Sequence, residues 1–125
     1  MISGIGVDIV DVAAIASSIN EYGNRYLDKM FTPQEIKYCS AVPTSAQRYA
    51  AWIAAKEAAM KALSTGWDGG VEWLDFEVVN EPSGQPTLLA HGIAAQLIKD
   101  RGISKIWVSI SHIPEYAIAQ VVLER

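Results

Sequence analysis

The chain has 125 residues, of which half are hydrophobic and 19% are charged, and its formal net charge is −4. This length predicts one domain over residues 1–125, and the apolar composition predicts a substantial core with apolar surface left over for a subunit interface. The acidic balance excludes broad nucleic-acid binding, because the chain has no basic excess to neutralise phosphates.

The cysteine and histidine content limits the chemistry further. A single cysteine, Cys39, rules out an internal disulfide and indicates a cytoplasmic protein. With only two histidines beside it, a zinc site of the common kinds is excluded. Cys39 has no obvious partner base in KYCSA, and we interpret it as a packed thiol. The N-terminal segment lacks a basic flank and a long apolar run, so we expect neither a signal peptide nor a membrane span.

The first predicted element is a strand over residues 2–10, ISGIGVDIV. Its residues alternate between two faces, one with Ile5, Val7 and Ile9 and the other with Gly4, Gly6 and Asp8. A carboxylate in this strand is unexpected, because burying an acid costs free energy unless a partner offsets the cost. Asp8 is therefore the first candidate functional residue.

Three helices are predicted to follow this strand. Asp11 can cap the first helix, which ends near Gly23. The stretch TPQE, residues 32–35, carries the threonine, proline and glutamate of a capping box and begins a short second helix. The longest helix is expected over residues 45–64, with Gly66 as its C-terminal stop.

The C-terminal half predicts two hairpins separated by a helix. Residues 73–80 and 87–91 are expected to form the first hairpin, and residues 92–101 a short amphipathic helix. Residues 105–111 and 116–124 are expected to form the second, whose last strand is apolar on both faces, as is typical of a central or interface strand. This order predicts an α+β fold with a mainly antiparallel sheet packed on one long central helix.

The long helix carries the second set of candidate residues. Glu57 and Lys61 lie one turn apart on one stripe of the helix. They could form an ordinary surface ion pair, or both could face a site. Asp8 favours the second interpretation, because two carboxylates from a strand and a helix suit Mg²⁺, which commonly takes one or two carboxylates together with water and substrate phosphates. Lys61 would then hold a phosphate oxygen as a point charge.

The two histidines differ in their surroundings. His112 follows the strand at 105–111 and begins the loop of the second hairpin. It could be a satisfied polar residue at a strand end or part of a site, and both interpretations stay open. His91 has no comparable context, and we interpret it as structural or solvated.

Four segments of the chain, taken together, carry a resemblance to a known family. They are GIGVDIVDV near the N-terminus, AAKEAAMKALSTG on the long helix, GQP in the following turn, and VSISH with YAIAQVVLE at the C-terminus. In order and spacing they are similar to the holo-acyl-carrier-protein synthases, the small phosphopantetheinyl transferases. The resemblance covers nearly the whole chain. It implies the phosphopantetheinyl transferase fold, assembled as a homotrimer with active sites at the subunit interfaces.

The resemblance also implies a ligand set. Asp8 and Glu57 match residues that hold Mg²⁺ together with the pyrophosphate of coenzyme A, which places both in the catalytic site. The positions that match the coenzyme A site are Lys61, at a phosphate, His112, at the nucleotide, and Gly66 and Pro86, in the nucleotide pocket.

The implied reaction is attack by a serine hydroxyl of an apo acyl carrier protein on the β-phosphate of coenzyme A. The phosphopantetheine arm is transferred and adenosine 3′,5′-bisphosphate leaves, as in fatty acid or polyketide biosynthesis. Such a phosphoryl transfer needs positioning and charge neutralisation more than a covalent helper. Either Glu57 or a metal-bound water could accept the serine proton.

The departures from the family pattern all remove positive charge. Trp52 stands where the family usually has an arginine five residues before the helix glutamate, and it is either a core or interface residue or a stacking partner for adenine. Arg48, the only cation at the start of this helix, is the candidate replacement for binding coenzyme A. Arg25 matches an arginine on the side that docks the carrier protein, whereas the first helix lacks the cation expected there.

These observations leave two functions to compare. The leading hypothesis is a magnesium-dependent transferase that acts on coenzyme A and a carrier protein. The alternative is a divergent paralogue, a trimeric coenzyme A or nucleotide-binding module with weak or no transfer activity. The presence of Asp8, Glu57 and Lys61 favours the transferase, because a protein that only binds coenzyme A would not require residues arranged around a metal ion.

Overall fold

The structure, a computed structural model, describes residues 1–64 and 69–125, which form five strands and five α-helices. In chain order these are β1 (Ile2–Asp11), α1 (Val12–Tyr22), α2 (Asn24–Met30), α3 (Pro33–Cys39), α4 (Ser45–Leu63), β2 (Phe76–Asn80), β3 (Pro86–Ala90), α5 (Gly92–Asp100), β4 (Lys105–His112) and β5 (Tyr116–Glu124). A 3₁₀ turn, Trp73–Asp75, precedes β2.

All strand pairs are antiparallel, and they form two sheets. β5 is the central strand of a three-stranded sheet and pairs with β1 on one side and with β4 on the other. β2 and β3 form a separate hairpin. The predicted α+β class with antiparallel pairing on a long helix is confirmed, and so is the central place of the last strand, although the strands form two sheets where one was expected.

Helix α4 crosses the inner face of the three-stranded sheet, and most of its residues are buried. The many alanines of α4 allow the sheet to pack closely on the helix, and the glycines of β1 allow the strand backbone to contact the helix backbone. A Cβ built on Gly6 would lie 1.9 Å from the carbonyl oxygen of Ala58, and one on Gly4 would lie 2.1 Å from that of Ala62. In residues 1–64 and 69–125, no helix is long and apolar enough to cross a membrane.

The predicted helix starts are confirmed where a side chain provides the cap. Asp11 accepts hydrogen bonds from the backbone N–H groups of Ala13, at 2.9 Å, and Ala14. At α3, the Thr32 hydroxyl accepts from the Glu35 N–H, while the Glu35 carboxylate accepts from the Thr32 N–H at 2.8 Å. This reciprocal pair is the capping box that the TPQE sequence predicts.

Three local features differ from the sequence-based expectations. Helix α2 was not predicted, because it has only seven residues and begins after Gly23 without a side-chain cap. The predicted strand over 73–80 starts at Phe76, since Trp73–Asp75 forms the 3₁₀ turn. The left-handed residue that ends α4 is Ser64, with φ of 58°, where a glycine was expected. The predicted stop, Gly66, lies outside the described residues.

The outward side of the three-stranded sheet is apolar and exposed. Six of its exposed large side chains, which we call the outer face, are Ile5, Val7, Ile9, Trp107, Tyr116 and Ile118. Those of β1 are between 52% and 63% exposed, although such side chains normally occupy a core. The alternation predicted for β1 is therefore present, with the glycines and Asp8 turned inward and the large side chains turned out.

Candidate functional site

The site forms where β1 crosses the C-terminal half of α4, and Asp8 lies at its centre. The close approach of β1 to α4 places the Asp8 side chain against the helix, where only 9% of it remains exposed. Its Oδ1 accepts a hydrogen bond from the Lys61 ammonium at 2.9 Å. Lys61 also donates to the carbonyl oxygen of Val7 at 3.1 Å, so it fastens the helix to the strand.

Lys61 remains open to solvent despite these two bonds. Its side chain is 57% exposed, and Asp8 raises its pKa through the hydrogen bond and the opposite charge. Lys61 of α4 therefore pairs with Asp8 of β1, and it does not form the i,i+4 surface pair with Glu57 that the sequence also allowed. An exposed ammonium beside two carboxylates can take up an anionic ligand such as a phosphate.

Glu57 is half-buried on the same stripe of α4. Its pKa is raised to about 7, mainly by burial and then by the neighbouring Asp8 carboxylate, whereas Lys61 lowers it. Two carboxylates that crowd each other in this way repel when both are ionised. A bound divalent cation would reverse the sign of that interaction.

One carboxylate oxygen of Asp8 is suited to bind such a cation. Asp8 Oδ2 is buried and has no hydrogen-bond partner, and a buried acceptor without a partner is costly. In residues 1–64 and 69–125 no group of three or more His, Cys, Asp or Glu side chains could hold a metal by itself. The donor set is thus two hard carboxylates, which suits Mg²⁺ with water and substrate oxygens as its other ligands.

His112 and Arg48 lie at the opposite end of α4. His112, the last residue of β4, makes a 2.9 Å hydrogen bond from Nδ1 to the Gln47 side chain. Gln47 and Glu57 are ten residues apart, which is about 15 Å along the helix axis. Arg48 places its guanidinium 4.0 Å from the ring centre of Tyr38 and donates to the Tyr38 carbonyl oxygen at 2.8 Å. The structure therefore brings Asp8, Glu57 and Lys61 together and keeps these two residues away from them.

The remaining candidates for the coenzyme A site fall in other places. Pro86 is the first residue of β3 and pairs with Asn80 of β2. Gly66 lies outside the described residues. The side chain of His91 is 50% exposed, and its Nε2 lies 3.0 Å from Oε1 of Glu77. This environment agrees with its interpretation as a structural or solvated residue.

Trp52 packs on α3. It is 6% exposed and stacks in parallel on Tyr38, with ring centres 5.4 Å apart. Both rings line a cavity of about 470 Å³ between α3, α4 and β2, on a different side of α4 from Glu57. Cys39 is fully buried, and burial raises its pKa to about 12, which confirms a packed thiol.

Arg25 lies on an exposed basic face of α2. With Tyr22, Tyr26 and Lys29 it lines a depression of about 280 Å³. The negative charge of Glu57 is among the causes that raise the pKa of Tyr26, after burial, so α2 lies on the Glu57 side of the molecule. Sequence reasoning missed Lys29, although its position four residues after Arg25 was the signal for a shared helical face.

The similarity to known proteins agrees with this geometry. The family model of the 4′-phosphopantetheinyl transferase superfamily matches residues 4–121. The holo-acyl-carrier-protein synthase of Koribacter versatilis is 51% identical over 99% of both chains.

Solved structures extend the similarity to the fold. The crystal structure of the synthase from Neisseria meningitidis covers 100% of both chains, with a TM-score of 0.90 at 30% identity. That of the Helicobacter pylori synthase in complex with coenzyme A covers 96% of this chain and 99% of its own, with a TM-score of 0.85 at 29% identity. The chain therefore belongs to the 4′-phosphopantetheinyl transferase superfamily and, within it, to the family of the holo-acyl-carrier-protein synthases.

Proposed function

We propose that the protein transfers the 4′-phosphopantetheine group from coenzyme A to a serine of an apo acyl carrier protein, with Mg²⁺ as its cofactor. The observation that carries the proposal is the buried, unpartnered oxygen of Asp8 beside Glu57 and the exposed Lys61 ammonium. In a chain of this family, these groups supply a cation site and a phosphate contact together. The proposal includes one domain over residues 1–125 and, because the chain has one cysteine, a cytoplasmic location.

In the reaction, the serine oxygen forms a bond to the β-phosphorus of coenzyme A, and the serine proton passes to Glu57 or to water. The bond from that phosphorus to the bridging oxygen breaks, and adenosine 3′,5′-bisphosphate leaves. Asp8 and Glu57 would hold the Mg²⁺, which supplies charge neutralisation on the pyrophosphate. Lys61 binds a phosphate oxygen and, through its bonds to Val7 and Asp8, keeps the strand and the helix in register around the substrate.

The distribution of the candidate residues supports a site shared between subunits. His112 and Arg48 lie about 15 Å along α4 from the carboxylates, so one chain holds the site's two halves apart. The outer face is an apolar surface of the kind that identical subunits cover. We therefore propose a homotrimer in which the carboxylates of one subunit meet His112, Arg48 and Pro86 of the next around coenzyme A.

The carrier protein is proposed to dock on α2. Arg25 and Lys29 are exposed there on a chain whose net charge is −4. Carrier proteins of this type are acidic by the family resemblance, so an overall acidic enzyme needs a local basic face to receive them.

Substitution of the two carboxylates tests the cofactor assignment. Asp8→Asn and Glu57→Gln remove a negative charge and keep the shape, and each should lower kcat/KM by about a hundredfold or more, because the Mg²⁺ that would neutralise the pyrophosphate loses a carboxylate ligand. Transfer is measured by intact mass of carrier proteins after incubation with coenzyme A and Mg²⁺. Glu21→Gln, an exposed acid on α1, is the matched control and should retain full activity.

Two outcomes would contradict the proposal. Near-normal turnover of either variant in excess Mg²⁺ would remove the carboxylates from the metal site. If the wild-type chain binds coenzyme A tightly but leaves no adduct on carriers of several net charges, it is a binding module and not the transferase.

A further inference from the structure

Lys56, the residue before Glu57, has an unusual environment for a lysine. Its side chain is fully buried, and so is that of Glu35, whose Oε1 lies 2.8 Å from the Lys56 ammonium. Buried lysines are rare unless they are paired, and a buried ion pair gains little over well-packed apolar side chains. The presence of a charge here therefore needs an explanation beyond packing.

The explanation lies in the backbone groups that the ammonium holds. Lys56 donates to the carbonyl oxygen of Met30 at 2.7 Å and to that of Trp73 at 3.2 Å. Met30 is the last residue of α2, and its carbonyl is one of those that a helix end leaves without a partner. A cation at this end also interacts favourably with the helix dipole.

Glu35 extends the same cluster to two further segments. Its Oε1 accepts from the Thr32 N–H at 2.8 Å, and its Oε2 accepts from the Val78 N–H of β2 at 2.9 Å. Lys56 and Glu35 together thus join the end of α2, the start of α3, the 3₁₀ turn and β2 to the helix that carries Glu57. A methionine at position 56 could fill the space but could not donate to any of these carbonyls.

We infer that Lys56 is a positioning residue that fixes α2, the proposed carrier-docking helix, relative to Glu57. Arg25 lies five residues before Met30, or about 7.5 Å along the helix axis from the anchored end. A shift of that end would move Arg25 and Lys29 against the catalytic carboxylates. This inference rests on the proposed function, because it assigns the docked partner to α2.

The test compares three variants with the wild-type protein. Lys56→Met removes the anchor, and Lys56→Met with Glu35→Gln removes both charges, so that no buried charge remains unpaired if the single variant does not fold. Ile103→Ala, a core truncation in the segment before β4, is the control for loss of stability alone. Each is measured well below its unfolding midpoint.

Two readouts separate positioning from general destabilisation. Amide hydrogen exchange over residues 24–30 should become at least tenfold faster in both Lys56 variants and stay unchanged in Ile103→Ala. KM for the carrier protein should rise at least tenfold in the Lys56 variants, while kcat and KM for coenzyme A stay within threefold of wild type.

The outcomes that would overturn the inference are distinct from failure of the proposed function. Exchange over residues 24–30 that matches the Ile103→Ala control would show that Lys56 does not anchor α2, whatever the activity. An equal rise of both KM values would show that it acts on the whole site. Absence of transfer by the wild-type protein would instead count against the proposed function and would leave the exchange result as the test of the anchor.

Discussion

At the scale of single residues, the site depends on two glycines as much as on its charged groups. Gly4 and Gly6 let the backbone of β1 lie against the carbonyl oxygens of α4, and this contact turns Asp8 toward the helix. A side chain at either position would separate the strand that carries Asp8 from the helix that carries Glu57. The GIGVD sequence therefore combines a close-packing motif with Asp8, the proposed metal ligand.

Replacement of Gly6 by alanine tests this role. The new Cβ would lie 1.9 Å from the Ala58 carbonyl oxygen, so the strand must shift. We expect a loss of about 3 kcal/mol in the free energy of unfolding, measured with urea, together with a large loss of transfer activity, because overpacking moves the backbone. Ser3→Ala, on the same strand, is the control. Wild-type stability and activity in Gly6→Ala would show that the contact is not required.

At the scale of secondary-structure elements, α2 is the element that the sequence reveals least, although it is the one proposed to dock the carrier protein. Its seven residues carry Arg25 and Lys29 outward and the anchored Met30 carbonyl inward. Helices of this length are not stable alone, so its position depends on tertiary contacts. The capping box of α3 was predictable because its partners lie three residues apart, whereas the anchor of α2 comes from Lys56, twenty-six residues away.

The basic face of α2 should affect KM for the carrier protein and leave KM for coenzyme A unchanged. Replacing Arg25 and Lys29 together by glutamine should raise KM for an acidic carrier about tenfold and reduce its dependence on salt, because rim charges mainly change association. Initial rates at several salt concentrations measure both effects. Lys99→Gln, a cation in the last turn of α5, is the matched control. A change in KM for coenzyme A of the same size would place these residues at the nucleotide instead.

At the scale of the whole molecule, the exposed outer face and the separation of the proposed site residues along α4 both favour an assembly of several copies of the chain. The sheet turns large apolar side chains outward, and Lys61 with the two carboxylates lies apart along α4 from His112 and Arg48. Association of copies through the sheet would bury the first set and join the second. Stability and catalysis would then both depend on assembly.

Mixed assemblies test whether the site is shared. Asp8→Asn and His112→Ala should each be poorly active alone, since each damages one half of every site. After unfolding and refolding together, random mixing should restore about a quarter of wild-type activity, because one site in four receives both intact halves. The same proteins mixed without refolding are the control. No recovery in assemblies shown to be mixed would place both residues in one subunit's site.

The sequence alone determined what depends on near neighbours. The alternation of β1, the cap at Asp11, the capping box at Thr32 and the one-turn spacing of Glu57 and Lys61 follow from backbone geometry over a few residues. The family resemblance likewise rests on short motifs in a given order, and the match over residues 4–121 confirms it.

Only the tertiary structure decided which segments meet. In the folded chain Lys61 pairs with Asp8, and the second Asp8 oxygen is buried without a hydrogen-bond partner. Lys56 donates to carbonyl groups of distant segments. The tertiary structure also turned the large side chains of β1 outward and separated His112 from the carboxylates along α4. These features arise from contacts between residues far apart in the chain, whose free energies depend on burial, and burial exists only after the chain has folded.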